Sequence, residues 1–139
     1  MSKQVFINLP VSDLSASTKF YEALGFTKNP TFSNDKASSM VWSDEISVML
    51  LVRDFYKSFL PHKEIADTKQ TSSVLLALSM ESKEAVLKFA DTAKQNGGDS
   101  SQEDNPAPDD VMFSCMVQDP DGHTWEPMWM SPDFDPQHE

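Results

Sequence analysis

This chain of 139 residues has only one cysteine, three histidines and four glycines. It therefore contains few of the residues that disulfides, metal sites and glycine-rich phosphate-binding loops require. The single cysteine, Cys115, excludes an internal disulfide, and its place in an apolar strand pattern predicts a buried structural thiol. We expect His62 and His138 to be surface residues and His123 to pack against or cap a hairpin. No two histidines have the i, i+4 spacing of a helical metal site.

Basic residues are also scarce. The 11 lysines and arginines face 22 acidic residues, which gives a net charge of −11. No basic patch offsets this charge, so nucleic acid and anionic membranes are excluded as expected partners. The acidic stretches at residues 99–110 and 133–139 are rich in polar residues and proline. We expect them to be a solvated loop and a solvated tail.

Long apolar runs are missing as well. None reaches membrane-spanning length, and residues 5–9 are too short for a signal peptide because Asn8 interrupts them. The sequence contains no Ser-His-Asp set, phosphate-binding loop or Cys-x-x-Cys motif. We therefore expect a cytoplasmic protein in a reducing compartment. The enzyme classes that these three motifs mark are not indicated by the sequence.

What the sequence does contain is a repeated order of elements. Each half reads as a strand, a helix and three further strands, and neither half could bury its sheet face alone. In the first half, strands are predicted at 5–9, 27–32, 37–42 and 46–52, with a helix at 14–24 capped by Asp13 and ended at Gly25. In the second half, strands are predicted at 73–80, 99–103, 111–118 and 123–130, with a helix that begins after Ser82 and ends at Gly97 and Gly98.

These patterns predict one domain over residues 1–139. Module one covers about 4–52, a linker covers about 53–71 and includes a short helix at 54–60, and module two covers about 72–131. Residues 132–139 form the acidic tail. The boundaries follow the change from strand and helix patterns to polar, proline-containing segments.

The last predicted hairpin contains Asp119-Pro120-Asp121-Gly122. Pro120 sets the backbone angle of the second turn position, Asp119 can accept bonds from its own backbone, and Gly122 fits the fourth position. Alternation along the outgoing strand then places Glu126 on the same face as Met128. The strand thus carries one acidic side chain among large apolar ones.

The segments Phe20-Tyr21-Glu22-Ala23-Leu24-Gly25-Phe26 and Asp119–Glu126, in this order, resemble the vicinal oxygen chelate superfamily. That superfamily includes glyoxalase I, extradiol dioxygenases and bleomycin resistance proteins, and the closest likeness is to lactoylglutathione lyase-related proteins. The resemblance implies an α+β fold in which two βαβββ modules form a curled mixed sheet around a cleft. It also implies a homodimer.

Metal-binding members carry ligands on the first and last strands of each module. The resemblance maps these ligands to Phe6, Met49, Leu75 and Glu126 in this chain. Only Glu126 has a side chain of the usual ligand chemistry, because Phe and Leu have no donor and a methionine sulfur suits soft ions. We therefore expect no cofactor, and a divalent metal is the less favoured alternative.

Glu126 has two interpretations. It is a candidate catalytic residue, since a carboxylate in an apolar pocket can act as a general acid or base or orient a polar ligand group. Alternatively, it bonds to the backbone or a nearby side chain and serves the structure. The residues that we expect to line the ligand pocket with it are Phe6, Asn8, Met49, Leu75 and Met128.

The function predicted from these features is that of a glyoxalase-like protein with a degenerate metal site. It would bind, or act on, a small organic molecule in an apolar cleft. One alternative is a metal-dependent lyase of the lactoylglutathione lyase type, or an extradiol dioxygenase. The other is a resistance-type protein whose acidic surface attracts a cationic drug and sequesters it without turnover.

Overall fold

The computed structural model describes residues 2–101 and 108–133. The chain divides into two compact units, residues 1–71 and 72–139. Each unit contains one mixed sheet and one long helix, as expected for the predicted α+β class. Among the described residues, no helix is long and apolar enough to cross a membrane.

The first unit has a four-stranded sheet in the order β1-β4-β3-β2. Strand β1 runs parallel to β4, and the other neighbours are antiparallel. The elements are β1 (Val5–Val11), α1 (Leu14–Ala23), β2 (Thr27–Asn29), β3 (Ala37–Val41), β4 (Ile46–Val52) and α2 (Arg53–Phe59).

Helix α1 begins and ends where its sequence predicts. The Asp13 side chain accepts a hydrogen bond of 3.1 Å from the Ala16 amide, which satisfies a backbone donor that the first turn leaves unpaired. Gly25 follows the helix with φ +109°, an angle that a side chain would strain. The helix packs against β2, β3 and β4, and buries Phe20 and Tyr21 completely.

The predicted strand at 27–32 is shorter than expected. It ends at Asn29, and Pro30–Phe32 form a 3₁₀ turn instead. The Asn29 side chain accepts a hydrogen bond of 3.1 Å from the Thr31 amide, which caps this turn. Pro30 has no amide hydrogen to donate to a neighbouring strand, so the chain turns there.

The second unit repeats this topology, with the order β5-β9-β8-β6 and β7 also paired with β9. Strand β5 is parallel to β9, and the other pairs are antiparallel. The predicted strand at 99–103 is described only as far as Ser101, and its last two residues lie outside the described part. The elements are β5 (Leu75–Ser79), α3 (Lys83–Gln95), β6 (Asp99–Ser101), β7 (Met112–Ser114), β8 (Met116–Gln118) and β9 (Thr124–Met130).

The single strand predicted at 111–118 is interrupted, and Pro127 on β9 explains why. The Cys115 amide donates a hydrogen bond of 3.3 Å to the Pro127 carbonyl. Proline has no amide hydrogen with which to return a bond to Cys115, so the regular ladder breaks there. The register is the same on both sides of the break, so β7 and β8 act as one interrupted strand.

The turn before β9 forms as its sequence predicts. The Gly122 amide donates a hydrogen bond of 2.9 Å to the Asp119 carbonyl, and Gly122 has φ +87°. One carboxylate oxygen of Asp119 accepts bonds from the amides of Asp121 at 3.0 Å and His123 at 2.9 Å. His123 is buried, in agreement with its predicted structural role. The turn therefore fixes where β9 starts.

Each sheet has one face covered by its long helix. In the first unit that face includes the fully buried Met40, Val48 and Leu50. In the second unit, α3 packs against β9, and Trp125 is only 1% exposed. Because side chains alternate along a strand, the neighbouring residues in each strand point to the opposite face of the sheet.

Candidate functional site

The strand registers place the four positions expected from the resemblance at equivalent points of the two sheets. In the first unit, Asn8 lies opposite Met49, and Phe6 is two residues before Asn8. In the second unit, Ala77 lies opposite Glu126, and Leu75 is two residues before Ala77. Paired residues on neighbouring strands share a face. Phe6 and Met49 therefore share one face of their sheet, and Leu75 and Glu126 share one face of theirs.

The first of these faces forms a cleft of about 530 Å³. Phe6 and Met49 line it, whereas Asn8 lies on the same face beside it and donates a hydrogen bond of 3.3 Å to the Phe6 carbonyl. Phe6 is 56% exposed, whereas Leu51, on the same face of the sheet, is only 2% exposed. The full lining is Gln4, Phe6, Asn29, Phe32, Ser39, Val41, Ser43, Asp44, Ser47 and Met49.

Several of these lining residues were not predicted from the sequence. Phe32 reaches the cleft because the 3₁₀ turn redirects the chain after Asn29. Ser39 and Ser47 reach it through the pairing of β3 with β4, which places Ser39 opposite Met49. Period-2 alternation within β3 and β4 marks which residues share a face. Only the pairing shows which strands are neighbours.

The corresponding face of the second unit carries four methionines, and we call it the methionine face. Met112 lies opposite Met130, and Met128 lies two residues before Met130 on the same strand. The register continues to Met116, which falls opposite Glu126. All four methionines are half-buried. Leu75, at the start of β5, is 49% exposed on this face.

Glu126 is the half-buried carboxylate within the methionine face. Its flanking positions on this face are Thr124 and Met128, and Ala77 lies opposite. The Thr124 hydroxyl donates its hydrogen bond, of 3.5 Å, to the Gly122 carbonyl. Within residues 2–101 and 108–133, no group donates a hydrogen bond to the Glu126 carboxylate or forms an ion pair with it.

These residues do not fit a divalent metal of the kind bound by hard oxygen and nitrogen donors. Phe6 and Met49 supply no such donor on the first sheet, and Glu126 is the one carboxylate among the four positions. The described residues contain no group of three or more His, Cys, Asp or Glu side chains placed to hold an ion. A single carboxylate is a poor metal site.

Solved structures similar to this chain share its fold. A hypothetical protein from S. aureus, SA1046, is 24% identical with a TM-score of 0.74, covering 93% of this chain and 94% of its own. A glyoxalase/bleomycin resistance protein/dioxygenase family enzyme from Burkholderia phytofirmans PsJN is 16% identical with a TM-score of 0.73, covering 93% and 99%. TnmS3, an antibiotic binding protein from Streptomyces sp. CB03234, is 18% identical with a TM-score of 0.60, covering 94% and 98%.

Among curated proteins, none matches the sequence. The sequence profile of one family, however, matches residues 3–126, which is most of the chain. The match includes the whole first sheet and ends at Glu126, within β9 of the second sheet. The resemblance inferred from the two sequence motifs is thereby confirmed, and the chain belongs to the Glyoxalase/Bleomycin resistance protein/Dioxygenase superfamily.

Proposed function

We propose that this protein binds a small organic molecule on the methionine face and uses Glu126 as the polar contact. The observation that carries the proposal is the Glu126 carboxylate, which is half-buried and has no bonding partner among the described residues. A half-buried carboxylate without a partner in the protein can accept a hydrogen bond from a donor outside it. A ligand with a donor group would supply one.

The surroundings of Glu126 support an organic ligand. Methionine side chains are flexible and polarisable, so they adapt to varied apolar shapes. Small-molecule sites typically combine an apolar lining with a few polar groups that fix orientation. Four methionines around one free carboxylate fit that description.

Glu126 also has the chemistry of a general acid or base, so the proposal allows turnover of the bound molecule as well as binding. A metal-dependent lyase or dioxygenase is less well supported, because Phe6, Met49 and Leu75 offer no hard donor. Small-molecule binding has a precedent in the fold, since the similar TnmS3 is an antibiotic binding protein. Binding alone and turnover at Glu126 would use the same methionine face and differ in whether a product forms.

Titration with the neutral fluorescent probe N-phenyl-1-naphthylamine tests the binding proposal. We expect saturable fluorescence enhancement with the wild-type protein and at least a fivefold weaker affinity for Met128→Ser, which removes apolar contact from the face. Such a loss equals about 1 kcal/mol. Leu87→Ser is the matched control, because Leu87 is exposed on α3, which packs on the other side of the sheet.

Two results would contradict the proposal. Either the probe fails to bind, or it binds equally well to wild type and Met128→Ser. Circular dichroism of both variants establishes that any loss of binding is not a loss of fold.

A further inference from the structure

We propose that the first unit holds a separate binding site for a small zwitterion such as a free amino acid. The site is a pocket of about 430 Å³ on the helix side of the first sheet, and we call it the polar pocket. The methionine face belongs to the second unit, so this proposal does not rest on the proposed function. The polar pocket is lined by Leu14, Ser15, Thr18, Lys19, Glu22, Lys28, Asn34, Asp35 and Ser38.

The polar pocket lies on the opposite side of the sheet from the cleft described above. Ser39 lines that cleft, and its neighbour Ser38 therefore points to the helix side, where it lines the polar pocket. Lys28 lies opposite Met40, two residues after Ser38 on β3, so it shares this side. The two cavities are thus separated by the sheet itself.

Two buried hydroxyl groups form the floor of the polar pocket. Ser38 is 2% exposed and Thr18 is 7% exposed, and their hydroxyl oxygens lie 2.8 Å apart. The Thr18 hydroxyl donates a hydrogen bond of 2.6 Å to the Leu14 carbonyl, which can only accept. The hydrogen between the two hydroxyls therefore comes from Ser38. Since each hydroxyl has then used its one hydrogen, the floor can only accept further bonds, and a ligand must bring a donor to it.

The rim of the polar pocket carries exposed charges of both signs, and they cancel. The cations are Lys19 on α1 and Lys28 on β2, and the anions are Glu22 on α1 and Asp35 before β3. In the described part of the chain, none of these four side chains has an ion-pair or hydrogen-bond partner. The complementary ligand therefore carries one charge of each sign and no net charge.

A zwitterion satisfies the floor and the rim together. Its ammonium group has three donors for the acceptor-only floor and for the rim carboxylates, and its carboxylate accepts from the lysines. An anion brings no ammonium to the floor, and a cation leaves the lysines without a counter-charge. A neutral polyol can donate to the floor but neutralises none of the four charges. Leu14 is the one apolar residue of the lining in the described part of the chain, so little of the ligand is apolar.

Four probes with the same three-carbon skeleton separate the contribution of each charge. They are L-serine, serinol, glycerate and glycerol, which at pH 7 are a zwitterion, a cation, an anion and a neutral molecule. Titrations at low salt, followed by two-dimensional NMR of the isotope-labelled protein, locate and measure the binding. L-serine should shift the amide signals of α1 and of residues 34–38 saturably. Its affinity should be at least fivefold higher than that of each other probe, a difference of about 1 kcal/mol.

One pair of variants tests the floor. Ser38→Ala removes an acceptor at the bottom of the polar pocket and should weaken L-serine binding at least threefold. Ser17→Ala is the matched control, because Ser17 is a buried serine of α1 that lies outside the lining and whose hydroxyl has no bonding partner. It should leave the affinity unchanged.

A second pair tests the rim. The double variant Lys19→Gln/Lys28→Gln removes both cations of the polar pocket, so L-serine should lose its advantage over serinol. The double variant Lys88→Gln/Lys94→Gln is the control, since it removes two exposed positive charges from α3 of the second unit. It should keep the advantage. The dispersion of each variant's NMR spectrum shows whether its fold is intact, and the exposed lysines keep the test valid if Ser38→Ala does not fold.

Several outcomes would overturn this proposal. If L-serine shifts no signals, or only signals outside the polar pocket, the site is wrong. If serinol, glycerate or glycerol binds as tightly as L-serine, the ligand class is wrong. If a control variant loses as much affinity or preference as its partner, binding does not depend on the floor or the rim. The methionine face lies in the other unit, so none of these results decides the proposed function.

Discussion

Met49 and Glu126 occupy equivalent positions in the two sheets. Each lies opposite a residue of the first strand of its unit, Met49 opposite Asn8 and Glu126 opposite Ala77. One unit thus has a thioether where the other has a carboxylate. The difference has direct consequences for metal binding, because hard divalent ions require oxygen or nitrogen donors.

We expect the purified protein to contain no stoichiometric divalent metal. The reason is that Phe6, Met49 and Leu75, which lack hard donors, stand at three of the four positions where the resemblance implies metal ligands. Elemental analysis after dialysis against each of Ni²⁺, Zn²⁺, Fe²⁺ and Mn²⁺ measures the metal content. About one ion per chain, lost in Glu126→Gln but retained in Glu84→Gln, would show that the metal site survives.

We expect little or no glyoxalase I activity on the adduct of methylglyoxal and glutathione. That reaction uses a metal to polarise adjacent oxygen atoms, and the four positions provide one hard ligand. A spectrophotometric assay of thioester formation, with a metal-dependent glyoxalase as positive control, gives the answer. Robust turnover that a chelator abolishes would mean that the ligand positions are assigned wrongly.

Replacing Glu126 should not destabilise the fold. The carboxylate is half-buried and has no partner among the described residues, so Glu126→Gln should keep the free energy of unfolding or raise it by up to about 1 kcal/mol. Asp119→Ala is the contrasting variant, because its carboxylate accepts two backbone bonds in the turn before β9. It should cost about 1–3 kcal/mol.

Denaturant melts at neutral pH measure both variants. A loss of more than about 1 kcal/mol in Glu126→Gln, together with unchanged probe binding, would assign Glu126 to the scaffold. The Asp119→Ala variant shows that the assay detects the loss of a bonded carboxylate.

Cys115 should resist modification in the folded protein. It is 4% exposed, and burial together with the negative charge of Asp91 raises the pKa of its thiol. A thiol-reactive dye at pH 8 should label it slowly in buffer and rapidly in denaturant, because the thiolate is the reactive form. Fast labelling of the native protein would show that β7 and β8 open around this residue.

The raised thiol pKa also sets a pH dependence of stability. The folded state favours the neutral thiol, so this contribution is fully present below the unfolded thiol's pKa, about 8.5, and is lost as the pH rises through the higher folded pKa. Between pH 8 and 10 the wild type should therefore lose stability more steeply than Cys115→Ala. Equal slopes of stability against pH in the two proteins would contradict a raised pKa for the Cys115 thiol.

We expect a homodimer in solution. Large apolar side chains, including Phe6, Phe32 and Phe59, are exposed in the described part of the chain, and monomeric proteins rarely leave such groups in water as contiguous patches. Light scattering coupled to size-exclusion chromatography at several concentrations measures the mass. A mass of 15.6 kDa at every concentration would contradict the prediction.

The sequence by itself determined the local structure. The cap at Asp13, the turn at Asp119–Gly122 and the alternation along β9 follow from side-chain bonds and backbone angles that involve only near neighbours. These features also made the family recognisable, because its two motifs lie at a helix end and in a hairpin. The absence of hard donors at Phe6, Met49 and Leu75 was likewise visible once the resemblance had aligned the strands.

Tertiary structure decided what depends on pairing between distant segments. Alternation could not show that Met112 lies opposite Met130, that Asp99 shares a face with Glu126, or that Pro127 interrupts the strand facing it. A missing amide hydrogen matters only where a particular carbonyl on the next strand needs it. Likewise, whether a carboxylate has a bonding partner depends on which strands become neighbours. Long-range register therefore made Glu126 a free carboxylate on a methionine face.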